Sequence, residues 1–182
     1  VKSEELRVAL PTPDYRGKSM NNIILCGFMG SGKTVVGKEL AKIMGRKFID
    51  TDELIEKEQG MAIKAIFAAR GEEYFRELEH EACKKTAKLK NCIISTGGGA
   101  LTFERNVDEV KKGGKVVFLD ASFEIICERI GDSQNRPLFQ DKEKAKQLFD
   151  ERKDKYIAAA DYIIDGDLSA RKAALDIAAM FR

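Results

Sequence analysis

Gly27-Phe28-Met29-Gly30-Ser31-Gly32-Lys33-Thr34 follows the apolar run Ile23-Ile24-Leu25-Cys26 and opens a stretch of helical character. This is the G-x-x-x-x-G-K-[ST] pattern in the setting it needs, with a strand before it and a helix after it. The glycines let the backbone curl so that successive N–H groups turn inward towards phosphate oxygens. The positive end of the following helix adds to that attraction. Lys33 can reach the β- and γ-phosphates of a nucleotide, and Thr34 places a hydroxyl where Mg²⁺ would sit. Gly17-Lys18-Ser19 repeats the last letters of the pattern, but Thr12 stands where its first glycine belongs and no strand precedes it. The loop at 27–34 implies a nucleoside triphosphate and little more, since GTPases, nucleotide kinases, metabolite kinases and motor ATPases share it.

The surrounding pattern sets the fold class. Short apolar runs recur at Ile23–Cys26, Phe48-Ile49, Cys92–Ile94, Val116–Leu119 and Tyr162–Ile164. Amphipathic stretches lie between them, with Ile63, Ile66, Phe67, Phe75 and Leu78 at helical spacing, then 142–160 and 169–181. Continuous apolar strands are covered on both faces, which predicts an α/β protein: a three-layer α/β/α sandwich around a parallel sheet. Ligands of such sheets bind at the carboxyl ends of the strands. The chain of 182 residues suits one domain. Its net charge of +2 argues against a bulk nucleic-acid binder. No apolar run reaches the ~20 residues of a membrane helix, and the first residues carry no secretory pattern. Scattered cysteines (Cys26, Cys83, Cys92, Cys127) and a single histidine, His80, fit reduced thiols in a cytoplasm better than a disulfide framework or a zinc site. Residues 1–19, with Pro11, Pro13 and Gly17, read as a flexible leader or an expression remnant, a native extension being the alternative.

The other strand ends carry the candidate chemistry. After the second run, Asp50 and Asp52 lie on a strand-to-helix turn. Asp50, nearer the sheet, suits a metal-bound water, and Asp52 suits an acceptor hydroxyl. Asp-x-Asp-Glu is equally a helix N-terminus, and spacing does not separate the two. Arg76 and Glu79 can pair on one helix face, leaving the arginine either to receive a carboxylate or to sit in a solvated ion pair. His80 reads as a surface helix residue. After the third run come Gly97, Gly98 and Gly99, more glycine than a turn needs, which suggests backbone that a ligand approaches closely. Arg129 and Arg136 flank a polar stretch that reads as a mobile lid, about 129–141, and an arginine there could neutralise a transferring phosphate. Arg152 could reach an anionic substrate from the next helix.

Taken in order, these pieces resemble the shikimate kinase family. The matching segments are G-F-M-G-S-G-K-T at 27–34, F-I-D-T-D at 48–52, the I-x-x-I-F-x-x-x-G-E-x-x-F-R-x-x-E run at 63–79, S-T-G-G-G at 95–99 and R-P-L at 136–138. The resemblance implies a nucleoside monophosphate kinase-like fold with a five-stranded parallel sheet over residues 20–182, and a Mg²⁺-dependent transfer of the ATP γ-phosphate to the 3-hydroxyl of shikimate. It implies that Gly30, Ser31, Gly32, Lys33, Thr34 and Val35 bind ATP and that Thr34 ligands Mg²⁺ with Asp50 behind it. Asp52 is then the suggested base. Arg76 and Arg152 take the substrate carboxylate with help from the loop Gly97, Gly98 and Gly99, and Glu79 orients Arg76. Arg136 meets the phosphates from the lid, and Arg129 lies beside the adenine. The implied partners are shikimate and ATP, with no nucleic acid or membrane, in a cytoplasmic monomer. One departure concerns the adenine loop, which often carries an arginine in the family. Here Asp165-Gly166-Asp167-Leu168-Ser169 has none before Arg171. The rivals are another metabolite kinase on this fold, such as a gluconate kinase, a regulatory nucleotide switch, disfavoured because N-K-x-D does not occur, and a non-catalytic relative, disfavoured because Lys33, Asp52 and Arg76 are all present.

Overall fold

The computed structural model describes residues 21–131 and 137–181. The expected leader and the lid residue Arg136 lie outside the described residues. Along the chain run β1 (Asn22–Cys26), α1 (Lys33–Met44), β2 (Lys47–Asp50), α2 (Thr51–Gln59), α3 (Ile63–Ala87), β3 (Cys92–Ser95), α4 (Glu104–Gly113), β4 (Gly114–Asp120), α5 (Phe123–Ile130), α6 (Lys142–Ala159), β5 (Tyr162–Asp165) and α7 (Ala170–Met180). Short 3₁₀ turns occupy Ala100–Thr102 and Pro137–Gln140.

The strands form one five-stranded sheet in the order β2-β3-β1-β4-β5. Every pairing is parallel. Alternation along β1 divides the core. Ile24 and Cys26 face a cluster with Ile94, Val116, Phe118, Ile126, Phe149 and Tyr156, on the side of α3 to α6. Ile23 and Leu25 face Val36 and Leu40 of α1 and Ala173, Ala174 and Ile177 of α7. Burying each of the larger aliphatic side chains, Val, Leu or Ile, is worth roughly 1.5–3 kcal/mol. The small residues of α7 and Gly37 of α1 let these helices lie close to the sheet; a Cβ at Gly37 would stand 2.4 Å from the Phe48 ring.

Cover on both faces holds for β1, β3 and β4 but not for the outer strands. In β2 only partial burial is reached, and in β5 Ile163 is 50% exposed. These two strands have a neighbour on one side only, so continuous apolar character here marks a sheet edge. A third, smaller cluster of Ile55, Ile66, Phe75 and Ala82 joins α2 to α3. Within α3 the backbone leaves helical geometry at Gly71 (φ 82°, ψ 175°), a conformation that requires glycine. The two ends of the expected lid are regular: Arg129 closes α5, and Phe139 lies in a 3₁₀ turn with its ring stacked 6.2 Å from Phe123.

At the opposite end from the phosphate loop, buried Asn22 ties three elements together. Its amide donates to Leu89 O (2.7 Å) and Thr86 O (3.3 Å), and its Oδ1 accepts from Cys92 N (3.0 Å). Asn22→Ala removes the side-chain partner of Cys92 N and of Leu89 O, while Thr86 O keeps the Leu89 N–H. It is expected to lower unfolding free energy by about 2–4 kcal/mol in urea titrations while leaving catalytic constants of the remaining folded protein nearly unchanged.

Candidate active site

The carboxyl ends of β1, β2 and β3 meet on one side of the sheet. There the phosphate loop and its surroundings enclose a cleft of about 580 Å³, lined by Met29–Val36, Asp50, Asp52, Gly98, Leu119, Arg129, Gly166 and Leu168. Gly30 holds a left-handed φ of 80°, and a Cβ there would stand 2.8 Å from Ile130. Lys33 is buried, with its ammonium donating to Gly27 O (2.7 Å) and Phe28 O (3.0 Å) across the loop it belongs to. Arg129 bridges the loop to the segment after β5, donating to Ser31 O (3.1 Å) and Leu168 O (3.3 Å). Gly166, Leu168 and Ser169 line the cleft without an arginine, while Arg171 is exposed and lies 3.8 Å from Glu39. Val35 stands at the cleft's rim, 59% exposed.

Asp50 does both things its position allows. One oxygen caps α2, accepting from Asp52 N (2.9 Å) and Glu53 N (3.4 Å). The other accepts from Thr34 Oγ1 (3.1 Å). Asp52 is left in a different state. Its Oδ1 is buried and has no hydrogen-bond partner among the described residues. Burial, reinforced by the Asp50 and Glu79 carboxylates, pushes its pKa up to about 6.

Arg76 is held on two edges. Nη1 donates to the buried Glu79 carboxylate at 2.6 Å, while Nε and Nη2 both donate to Oε1 of the exposed Glu72, at 3.2 and 2.9 Å. Burial works against the Arg76 cation, but Glu79 and Glu72 outweigh it and raise its pKa. Burial raises the pKa of Glu79, with Arg76 opposing. The glycine triple joins these parts. A Cβ at Gly97 would lie 2.7 Å from Asp52 Oδ1 and 2.9 Å from Glu79 Oε1. One at Gly99 would lie 2.8 Å from Arg76 Nη1 and 3.3 Å from Arg152 Nη2. Gly98 packs on the phosphate-loop backbone at Met29. The predicted residues at 30–35, 50, 52, 76, 97–99, 129 and 152 therefore surround one place; Arg136 lies outside the described residues.

Three features were not foreseen. Glu72 occupies the free edge of Arg76, as its i,i+4 spacing allows. Tyr156, four residues after Arg152 on the same helix, donates its hydroxyl to the Gly98 carbonyl. His80 is half-buried rather than a plain surface residue, because α4 packs on α3: its Nδ1 meets Asn106 Oδ1 at 2.8 Å, and Asn106 donates to Ala100 O at 2.8 Å.

A phosphate cradle opening onto a carboxylate and two arginines defines a P-loop phosphotransferase whose acceptor is a small, hydroxylated acid. Similarity to known proteins narrows the class further. A model of the shikimate kinase family matches residues 29–181. A shikimate kinase of Sulfurihydrogenibium sp. is 49% identical over 75% of this chain and 83% of its own length. The solved shikimate kinase from Acinetobacter baumannii, described in complex with shikimate, superposes with a TM-score of 0.84 at 36% identity, covering 89% of this chain and 93% of that one. The chain belongs to the shikimate kinase family. A gluconokinase from Sinorhizobium meliloti shares the fold alone, at 15% identity and a TM-score of 0.54.

The raised Asp52 pKa has a consequence for stability. Its ionised form is disfavoured by folding, so the penalty is present in full above about pH 6 and fades as pH falls towards the unfolded carboxylate value of 3.8. In ligand-free protein kept in EDTA, Asp52→Asn is expected to be more stable than the parent at pH 8, by about 1–3 kcal/mol. The gap should close near pH 4; equal stabilities in urea titrations at pH 8 would contradict it.

Proposed function

We infer that this chain transfers the γ-phosphate of ATP to the 3-hydroxyl of shikimate, giving shikimate 3-phosphate for aromatic amino acid biosynthesis through chorismate. Family membership supports the reaction. The observation that carries the residue roles is the glycine triple, with the hydroxyl-binding Asp52 against Gly97 and the carboxylate-binding Arg76 and Arg152 against Gly99. One rigid loop thus sets the spacing between the two ends of an acidic substrate.

In this reading residues 30–35 hold the ATP phosphates, Arg129 lies beside the adenine, and Arg136 meets the phosphates from the lid. The acceptor oxygen attacks the γ-phosphorus in line. A new O–P bond forms as the bond to the bridging oxygen of ADP breaks, and the hydroxyl proton passes to Asp52. Positioning and charge neutralisation carry most of the rate. Lys33 already lies across the loop and can exchange its backbone carbonyls for phosphate oxygens. The substrate carboxylate takes the Nε–Nη2 edge of Arg76 by displacing solvent-facing Glu72, while buried Glu79 keeps the guanidinium aimed.

The site is compatible with Mg²⁺. Thr34 Oγ1 and Asp50 Oδ2 are hard oxygen donors 3.1 Å apart at the end of the phosphate loop. Thr34 would ligand the ion directly and Asp50 through a water; when bound, Mg²⁺ supplies charge neutralisation on the phosphate oxygens. No helix among the described residues is long and apolar enough to cross a membrane. We place the enzyme in the cytoplasm as a monomer, since one chain provides both halves of the site.

In a coupled ADP-release assay, shikimate should support turnover at least about 100-fold better in kcat/KM than gluconate or nucleoside monophosphates. Equal use of gluconate would favour the rival acceptor. Asp52→Asn is expected to lower kcat by about 10²-fold or more with the ATP KM nearly unchanged. Arg76→Ala should raise the shikimate KM by about tenfold or more and leave ATP binding alone; an unchanged shikimate KM would remove the carboxylate role.

A further inference from the structure

The carbonyls of the glycine loop are each turned into the protein. Gly97 O accepts from Ala100 N, Gly99 O from Thr102 N and Oγ1, and Ala100 O from the buried Asn106 amide. Gly98 O accepts from the Tyr156 hydroxyl. Buried carbonyls must be satisfied somewhere, so these bonds settle which way the peptide planes face. With the carbonyls turned inward, the Gly98 and Gly99 N–H groups meet no acceptor among the described residues.

Four of those five bonds come from residues that follow the loop closely in sequence. The Tyr156 bond comes from α6, 58 residues away. Tyr156 is 1% exposed, with its ring 5.3 Å from that of Phe118, so its hydroxyl has one place to point. Burial raises the Tyr156 pKa and keeps the hydroxyl a donor, against the opposing pull of the Arg152 guanidinium beside the same oxygen. Arg152 is one helical turn earlier on α6 and reaches towards Gly99.

We propose that Tyr156 is a positioning residue for the acceptor: its hydroxyl welds α6 to the glycine loop, so that Arg152 and the Gly98–Gly99 amides keep one spacing around the substrate. This rests on the reading of shikimate as acceptor. Tyr156 is not itself among the residues lining the nucleotide cleft, which it reaches only through the Gly98 carbonyl. Because the same helix carries Arg152 to Gly99, the hydroxyl is expected to act more on acceptor binding than on ATP binding.

The test is Tyr156→Phe, which removes one oxygen and keeps the ring. The shikimate KM and the shikimate dissociation constant measured by calorimetry should both rise about tenfold, with the ATP KM within about twofold of the parent. Replacement of Tyr156 by 3-fluorotyrosine, which keeps a donor of nearly the same shape, should restore both. In an Arg152→Ala background the effect of Tyr156→Phe should shrink, since the two changes act on one spacing. An unchanged shikimate affinity, an equal rise in both KM values, or no recovery with 3-fluorotyrosine would overturn the proposal. Failure of the parent protein itself to phosphorylate shikimate would overturn the functional reading instead.

Discussion

The register of two parallel strands governs where everything else in the site can be. Leu25 of β1 is paired with Ser95 of β3, and both the N–H and the hydroxyl of Thr96 donate to Leu25 O, at 3.1 and 3.0 Å. The chain therefore leaves these two strands side by side, one as the phosphate loop and the other as the glycine triple. A slip of one residue would turn the Ile24 and Ile94 face to the wrong side of the sheet as well as displace the loops. Hydrophobic burial in the core and alignment of the site are thus the same constraint. β2 follows the same logic, since Asp50 pairs with Ser95 and Thr51 Oγ1 accepts from Gly97 N at 3.1 Å.

Around that junction the charges are handled in two opposite ways. Arg76 is compensated, with one carboxylate buried behind it and another in front. Breaking the buried pair from either side would strand a charge, so Glu79 is the fixed partner. Glu72 is its opposite, an exposed i,i+4 carboxylate of the kind whose net worth is small. In the proposed reading, a substrate carboxylate replaces it at little cost. Asp52 is compensated only by the nearby Lys33 charge: half-buried, it stands beside two other carboxylates with one buried oxygen unpartnered among the described residues. A group left in that state gains most from a hydroxyl proton placed against it.

Much of this was legible in the sequence because it is local. The phosphate loop, the Asp50–Asp52 turn and the glycine triple each follow directly on an apolar run, and in a parallel sheet a strand end is a site position. Periodicity also gave the helices, including the stretch around Phe75 and Leu78. It did not show that β5 is an edge strand, because Tyr162–Ile164 is as apolar as a buried strand and only the strand order separates them. Contacts between distant elements were likewise invisible. Asn106 and His80 are joined across the α3–α4 packing, and Tyr156 reaches Gly98 across the core. The dual role of Asp50 was equally hidden, since capping and the bond to Thr34 use different oxygens of one carboxylate.

The half of the site proposed to hold the acceptor rests on a smaller foundation than the half at the phosphate loop. Lys33 and Thr34 stand at the start of a helix packed on the central sheet, whereas Arg76 and Glu79 stand on α3, which shares a smaller cluster around Ile55, Ile66, Phe75 and Ala82 with α2 and adds Cys83 to the main core. The break at Gly71 separates the first part of α3 from the turn that carries Glu72 and Arg76. Such a satellite layer needs ties to the main core if its arginine is to keep a fixed distance from the phosphates. α3 is joined to that core by Cys83 in the main cluster, by Thr86 O to Asn22 and by His80 to Asn106, and the glycine loop is held from three directions: Thr51 to Gly97, Asn106 to Ala100 and Tyr156 to Gly98. Each of the last three ends on the glycine loop, which itself packs on the phosphate loop. The loop without side chains is therefore the joint through which the acceptor layer is aligned to the nucleotide layer, and its bareness lets carboxylate, guanidinium and backbone meet within a few ångströms.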